Sequence, residues 1–245
     1  MGQKILITLG LSLALVQWML CDFSHAEELR FGYEDYPPLT YNENGVAKGI
    51  SIDLLTEVSR RLNMTPVFVH LPFVRILHDV EVGAIDCAVD VYRSPDREVY
   101  MHYPSISVNP DHIYLYVNKA SGLTIRSFAD IGDVKVGAVR GYFYGRGVLE
   151  RLSSNMVFVK SCCTLSKMLA EGRINVVLGN GRSIEFYLDE IGARSKVEPA
   201  LLVSQVFSYM AFSKTLGKRG QELADLYADE ISRVLIEKGE KTECE

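Results

Sequence analysis

The chain has 245 residues, 48% of them hydrophobic and 23% charged, with a formal net charge of −5. The acidic balance and the absence of any Lys/Arg block argue against nucleic acid as a partner. The length suits one large or two small α/β domains with real cores. Behind Lys4, an apolar run from Ile5 to Leu20 leads to Ser24-His25-Ala26, so residues 1–26 read as a secretory signal peptide. The run is short for a bilayer span of about 20 residues. Export permits disulfides, yet Cys87, Cys162, Cys163 and Cys244 are not spaced as a dense framework. Cys87 reads as a small buried residue. Adjacent Cys162 and Cys163 could pair with each other, or one could reach Cys244. His70, His78, His102 and His112 show no ligand spacing with these thiols, so neither a metal nor another cofactor is expected.

In chain order, Leu29 to Phe31 predicts a strand. Tyr33 to Tyr41 follows as a stiff aromatic loop, because Pro37 and Pro38 cannot donate to a ladder. Its tyrosines, Tyr36 among them, either wall a ligand or cap the core. A turn at Asn42–Gly45 precedes a helix marked by Ile52, Leu55, Val58 and Leu62. Pro66 to Leu71 reads as a strand, and Pro72-Phe73 opens a helix that ends at Gly83. On that helix Arg75 and Asp79 lie four apart, so Arg75 either pairs locally or offers a ligand a cation.

Ile85 to Val91 predicts a buried strand, which feeds a polar segment carrying Tyr92, Arg93, Asp96 and Arg97. Ligands of open α/β sheets sit just beyond the carboxyl ends of strands, so Arg97 is placed to hold an anionic group. The alternative is surface pairing with Asp96 or Glu98. After a strand at His112–Val117, the polar connector Asn118–Thr124 reads as a first crossing between two lobes. Val134 to Val139 is the next strand. Arg140-Gly141-Tyr142-Phe143 then begins a Gly-rich turn before a helix at about Val148–Leu152, a place that offers free N–H groups to an anion. A strand at Val157–Val159, a helix at Thr164–Glu171 and a helix at Ile184–Ile191 follow. Val203 to Phe212 reads as the second crossing, and Gln221 to Lys238 as an amphipathic helix returning to the first lobe.

The chain also repeats itself. Gly172 to Ser183 lays over Gly83 to Ser94 without a gap, each carrying Gly, Ile-Asp or Ile-Asn, an apolar strand and Arg-Ser after a short helix. Two similar α/β lobes facing each other explain this.

Tyr36-Pro-Pro-Leu-Thr-Tyr41, Gly45 to Leu54, Gly83-Ala-Ile-Asp86, Ser94-Pro-Asp-Arg-Glu98, Asp133 to Gly141 and Gly172-Arg-Ile-Asn175 together resemble the family-3 extracellular solute-binding proteins. The resemblance implies a type II periplasmic binding protein: two α/β lobes with two crossing hinge strands. Lobe 1 would comprise residues 27–117 plus 208–245, and lobe 2 residues 118–207. It also implies a non-catalytic monomer that closes on a small carboxylate-bearing solute and delivers it to a membrane ABC permease. Arg97 occupies the family's position for the ligand α-carboxylate, and a guanidinium suits that geometry. Tyr36, Arg75, Tyr92, Arg140, Gly141, Tyr142, Phe143 and Asn180 complete the expected site. Two positions depart from the pattern. Asn180 stands where the family commonly has an Asp for the ligand ammonium, and Tyr142-Phe143 replaces a Ser or Thr after the glycine. A ligand-sensing module for a partner receptor is one alternative. Another is an enzyme like the cyclohexadienyl dehydratases on this fold, for which Glu34, Asp35 and Asp90 are the candidate acids.

Overall fold

The computed structural model describes residues 26–239. The expected signal peptide, apart from Ala26, and Cys244 lie outside the described residues. The first half begins with β1 (Glu27–Tyr33) and a hairpin of β2 (Tyr41–Glu43) and β3 (Val46–Lys48). Asn44 and Gly45 turn that hairpin with φ of 53° and 86°, the left-handed pair a two-residue turn requires. There follow α1 (Ile50–Arg61), β4 (Met64–His70), α2 (Phe73–Glu81), β5 (Cys87–Tyr92), α3 (Pro95–Glu98), β6 (Met101–His102) and β7 (Asn109–Asn118). The second half contains β8 (Val136–Val139), α4 (Val148–Leu152), β9 (Met156–Val159), α5 (Cys162–Ala170), β10 (Val176–Asn180) and α6 (Gly181–Glu190). β11 (Val197–Ser213) and α7 (Lys218–Glu237) close the chain.

The strands join in the order β4-β1-β5-β11-β7-β10-β8-β9. This order is symmetric about its centre. β4, β1 and β5 run parallel to one another and meet β11 antiparallel, while β9, β8 and β10 run parallel and meet β7 antiparallel. The internal repeat is therefore a repeat of structure. Phe73–Glu81 and Cys162–Ala170 are helices of nine residues each. The register that overlays Gly83–Ser94 on Gly172–Ser183 carries one helix onto the other and the start of β5 onto the start of β10. Gly83 and Gly172 end their helices at φ of 78° and 69°, the conformation in which only glycine avoids a Cβ clash.

β7 and β11 pair from Asn109↔Ser208 to Asn118↔Val197. β7 is also bonded to β10 along Ile113–Val117, and β11 to β5 through Ser208–Phe212. Val203 to Phe212, expected to start a crossing of its own, is the later part of one continuous strand that begins at Val197. Its ladder slips between Pro199 and Leu201, where proline has no N–H to donate. Asn118–Thr124 contains a single tight turn, Lys119–Ser121, capped by the Asn118 side chain.

One buried apolar cluster runs from the first half, through Phe73 and Ile76, into the second, through Val136 and Leu165, and another lies within the first half. In the latter, Phe31, Phe212 and Tyr227 meet edge-on or tilted at centroid distances of 5.2–6.3 Å, and each is worth about 1.5–3 kcal/mol on burial. Tyr227 brings α7 back onto the first half, and its hydroxyl bonds Ser59 of α1 at 2.7 Å. Asp86, the acid of the Ile-Asp motif, takes Arg30 N at 2.8 Å, Nε at 3.0 Å and Nη2 at 2.7 Å, locking β1 to the turn before β5.

Candidate ligand-binding site

The loops after β1 and β5 face the loop after β8 across a cleft. At its back, Tyr92 donates to Asp111 Oδ2 at 2.8 Å. The Tyr36 hydroxyl, 2.6 Å from that of Tyr92, is therefore the donor in their pair. Asn180 Nδ2 donates to the same Tyr92 oxygen at 3.0 Å, while its Oδ1 caps α6 by accepting from Ser183 N. This chain of buried polar groups runs from the first half through β7 to the second.

Arg97 is set by α3, which Pro95 opens at its first turn. The residue is only 5% exposed. Its Nη1 donates to Tyr92 O at 2.7 Å, and its Nη2 reaches Gly141 O of the other half at 2.8 Å. The guanidinium lies over the Phe73 ring, 5.1 Å from the centroid. Burial lowers its pKa from the ordinary value, yet a guanidinium stays charged at neutral pH. Among the described residues it has no ion-pair partner, whereas the neighbouring Arg93 pairs with Glu98.

Two acids share the cavity with Arg97. Glu34 accepts the Tyr142 hydroxyl at 2.6 Å across the cleft. Burial pushes its carboxyl up to about 8, against the opposing pull of Tyr142 and Arg97. Asp90 sits in β5 with φ of 52°. Its Oδ1 accepts from Ser208 at 3.1 Å and Asn109 at 3.4 Å, and burial pushes it up to about 6. These acids, with Tyr36, Arg97 and Tyr142, enclose about 20 Å³ of free volume, room for about one water. A wider groove of about 510 Å³, lined by Asp35, His70, Val74, Arg140 and Lys160 among others, opens beside it.

A cleft between two matched α/β halves, with a buried arginine on the short helix after β5 that has no ion-pair partner among the described residues, agrees with the match of residues 29–241 to the bacterial extracellular solute-binding proteins, family 3. The chain belongs to this family. A histidine kinase sensor domain with similarity to periplasmic binding proteins superposes with a TM-score of 0.78 at 16% identity, covering 88% of this chain and 92% of that one. Arginine-bound ArgBP from T. maritima gives 0.73 at 17%, over 84% and 96%. An ABC uptake transporter substrate-binding protein from Streptococcus pneumoniae with bound histidine gives 0.74 at 16%, over 86% and 88%. At these identities the likeness is one of fold, the two-lobed α/β architecture of such binding proteins. No curated protein sequence matches the chain.

Within this family fold, Tyr36, Tyr92, Arg97, Tyr142 and Phe143 line the cavity, and Gly141 supplies the carbonyl that Arg97 holds. Asn180 lies behind Tyr92 rather than on the lining. Arg75 stands outside the cavity with a side chain 60% exposed, paired at 2.9 Å with Asp79 one turn on. Arg140 belongs to the outer groove and stacks on Phe158 at 5.7 Å. Phe73, Thr40 and Val89 also line the cavity and carry no sequence signal, since each reads as an ordinary helix, loop or strand residue. Asp90 is marked in the sequence as a charge inside an apolar strand and, with Glu34 and Asp35, as a candidate acid of the catalytic alternative. Cys162 and Cys163 are free thiols at the head of α5, and Cys87 is buried in β5. Among the described residues, no cluster of His, Cys, Asp or Glu could hold a metal ion.

Proposed function

We propose that the protein captures a small carboxylate-bearing solute in the periplasm, closes its two lobes on it and hands it to an ABC permease, without chemistry on the ligand. The observation that carries this reading is Arg97: a buried guanidinium at the cleft with no carboxylate partner among the described residues. A buried charge without a counter-ion is costly, and an anionic ligand would offset that cost. Amino-acid ligands in the ArgBP and S. pneumoniae structures support an amino acid or a related carboxylate here. The pivot of closure is placed where β7 and β11 run side by side, near Asn109–His112 and Gln205–Ser208. That lies nearer the start of β7 than a boundary after Val117, and the pairing of β7 with β10 favours it. Purified protein is expected to gain thermal stability with such a solute, as binding to the folded state requires. Mass spectrometry of a co-purifying molecule would identify it.

A second reading is a sensory one, favoured by the likeness to a histidine kinase sensor domain over most of both chains. Uptake of the bound solute by permease-containing vesicles would separate the two. Glu34, held protonated at neutral pH beside Arg97, is also what an acid catalyst would need. Turnover of prephenate or arogenate by purified protein would overturn the non-catalytic reading.

A further inference from the structure

Two buried residues at the start of α6 reach out of the second half and touch the first. Asn180 sends Nδ2 to the Tyr92 hydroxyl at 3.0 Å, while its Oδ1 accepts from Ser183 N at 3.2 Å, which fixes the direction of the amide. Ser183 donates its Oγ to Pro37 O of the aromatic loop at 3.1 Å. Both bonds are buried, and both join the halves. Tyr187, one turn on, reaches Asp35 O only at 3.5 Å and in contact with solvent, so it adds little. Neither Asn180 nor Ser183 lines the cavity around Arg97 or the wider groove beside it.

These bonds lie beside the crossing strands. Tyr92 is carried by β5, which pairs with β11 at Ser208, and Asn180 by β10, which pairs with β7 at Ile113. Ser208 is itself paired with Asn109, so the Tyr92–Asn180 bond flanks the segment where the two long strands run side by side. Tyr92 also donates to Asp111 of β7 and accepts from Tyr36, and the Asn180 amide helps offset the burial of the Asp111 carboxyl. A hydrogen bond fades beyond about 3.5 Å, so even a modest rotation about that segment breaks both contacts. In an open cleft water replaces each lost partner, which leaves each bond the net value of an ordinary neutral one.

We infer that Asn180 and Ser183 form a clasp between the halves, and that Asn180 is a positioning residue that sets how readily the cleft closes, not a ligand contact. This rests on the closure reading given above. The affinity of a ligand held in the closed cleft is scaled by the fraction of molecules that close. Loss of either bond therefore weakens every ligand by the same factor, about three- to tenfold, the size of one neutral hydrogen bond. The loss falls on dissociation, because the ligand meets the open cleft first and the clasp forms afterwards.

The test compares the parent with Ser183→Ala, which keeps the main-chain N–H that Asn180 caps, and with Asn180→Ser, which keeps a capping oxygen and loses the reach to Tyr92. Small-angle X-ray scattering of the purified free proteins is expected to give each variant a larger radius of gyration than the parent. Calorimetric titration with the twenty L-amino acids, acetate and succinate is expected to show about a three- to tenfold loss for each that binds the parent, with the order of preference unchanged. Saturating solute should return each variant to the parent's radius. Equal radii of the free proteins overturn the clasp whatever the affinities, because a merely structural role lowers the melting temperature without opening the cleft. A loss that differs from one ligand to another overturns it too, since that marks a ligand contact. A variant that binds solute and stays expanded overturns the closure reading, and the clasp's hold on affinity with it. If no member of the panel binds the parent, the carboxylate reading falls and the radii still decide the clasp. Ser183→Ala alone carries the test where Asn180→Ser fails to fold.

Discussion

Tyr142 of the second half donates its hydroxyl to Glu34 of the first at 2.6 Å, a part-buried hydrogen bond made only while the two halves are together. The closed cleft thus holds a carboxyl whose environment differs sharply from that in the open or unfolded chain.

The first prediction concerns pH. Burial raises the Glu34 carboxyl from an ordinary 4.5 to about 8. Its contribution to the closed, folded form is complete below pH 4.5 and is lost as pH rises through 8, because the unfolded chain releases that proton earlier. The loss approaches about 1.4 kcal/mol per pH unit inside that window. Between about pH 6.5 and 8, above the titration of Asp90, melts of the parent should fall with pH and those of Glu34→Gln should be flatter. Equal slopes in the two proteins would show that Glu34 is ionised in the closed form.

Tyr142→Phe removes the donor and leaves the ring in place against Phe73 and Tyr36, 5.0 and 6.0 Å away by centroid. A loss of about 1 kcal/mol is expected, with a melting temperature lower by about 2–4 °C.

Gly141 combines a φ of 82° with a close approach, since a Cβ there would lie 3.0 Å from Val74 Cγ2 of the opposite half. Gly141→Ala should cost about 1–2 kcal/mol in backbone strain and push the halves apart. Ligand affinity should therefore drop by more than stability does, which titration and melting of the same sample would separate.

Asp86→Ala should be the most destabilising of these changes. It strips three hydrogen bonds from Arg30 and leaves the main-chain N–H of β1 without its acceptor. A loss of about 2–3 kcal/mol is expected in chemical denaturation, with ligand binding retained at a temperature where the variant is folded.

Much of the architecture is readable from local signals. Pro72-Phe73 and Gly83 bracket α2 as capping rules require, and the overlay of Gly172 on Gly83 points to two matched halves. The aromatic loop and Arg97 are readable as cleft residues, because strand ends and stiff loops are where ligands meet such folds. What stays hidden depends on contacts distant in sequence. Glu34 and Tyr142 are 108 positions apart, and nothing near either marks them as partners. Arg75 could equally face a ligand or Asp79, and the helix resolves this in favour of the residue four positions on. The single long β11 is obscured by Pro199, which breaks the ladder without ending the strand.

The most direct test of the central claim is titration of the solute that stabilises the parent against Arg97→Ala, with Arg97→Lys beside it. Loss of a buried guanidinium from its carboxylate should weaken binding by at least about thirtyfold, roughly 2 kcal/mol, with Lys intermediate because it keeps the charge without the planar fork. An Arg97→Ala protein that folds and binds as tightly as the parent would contradict the claim that Arg97 holds the ligand.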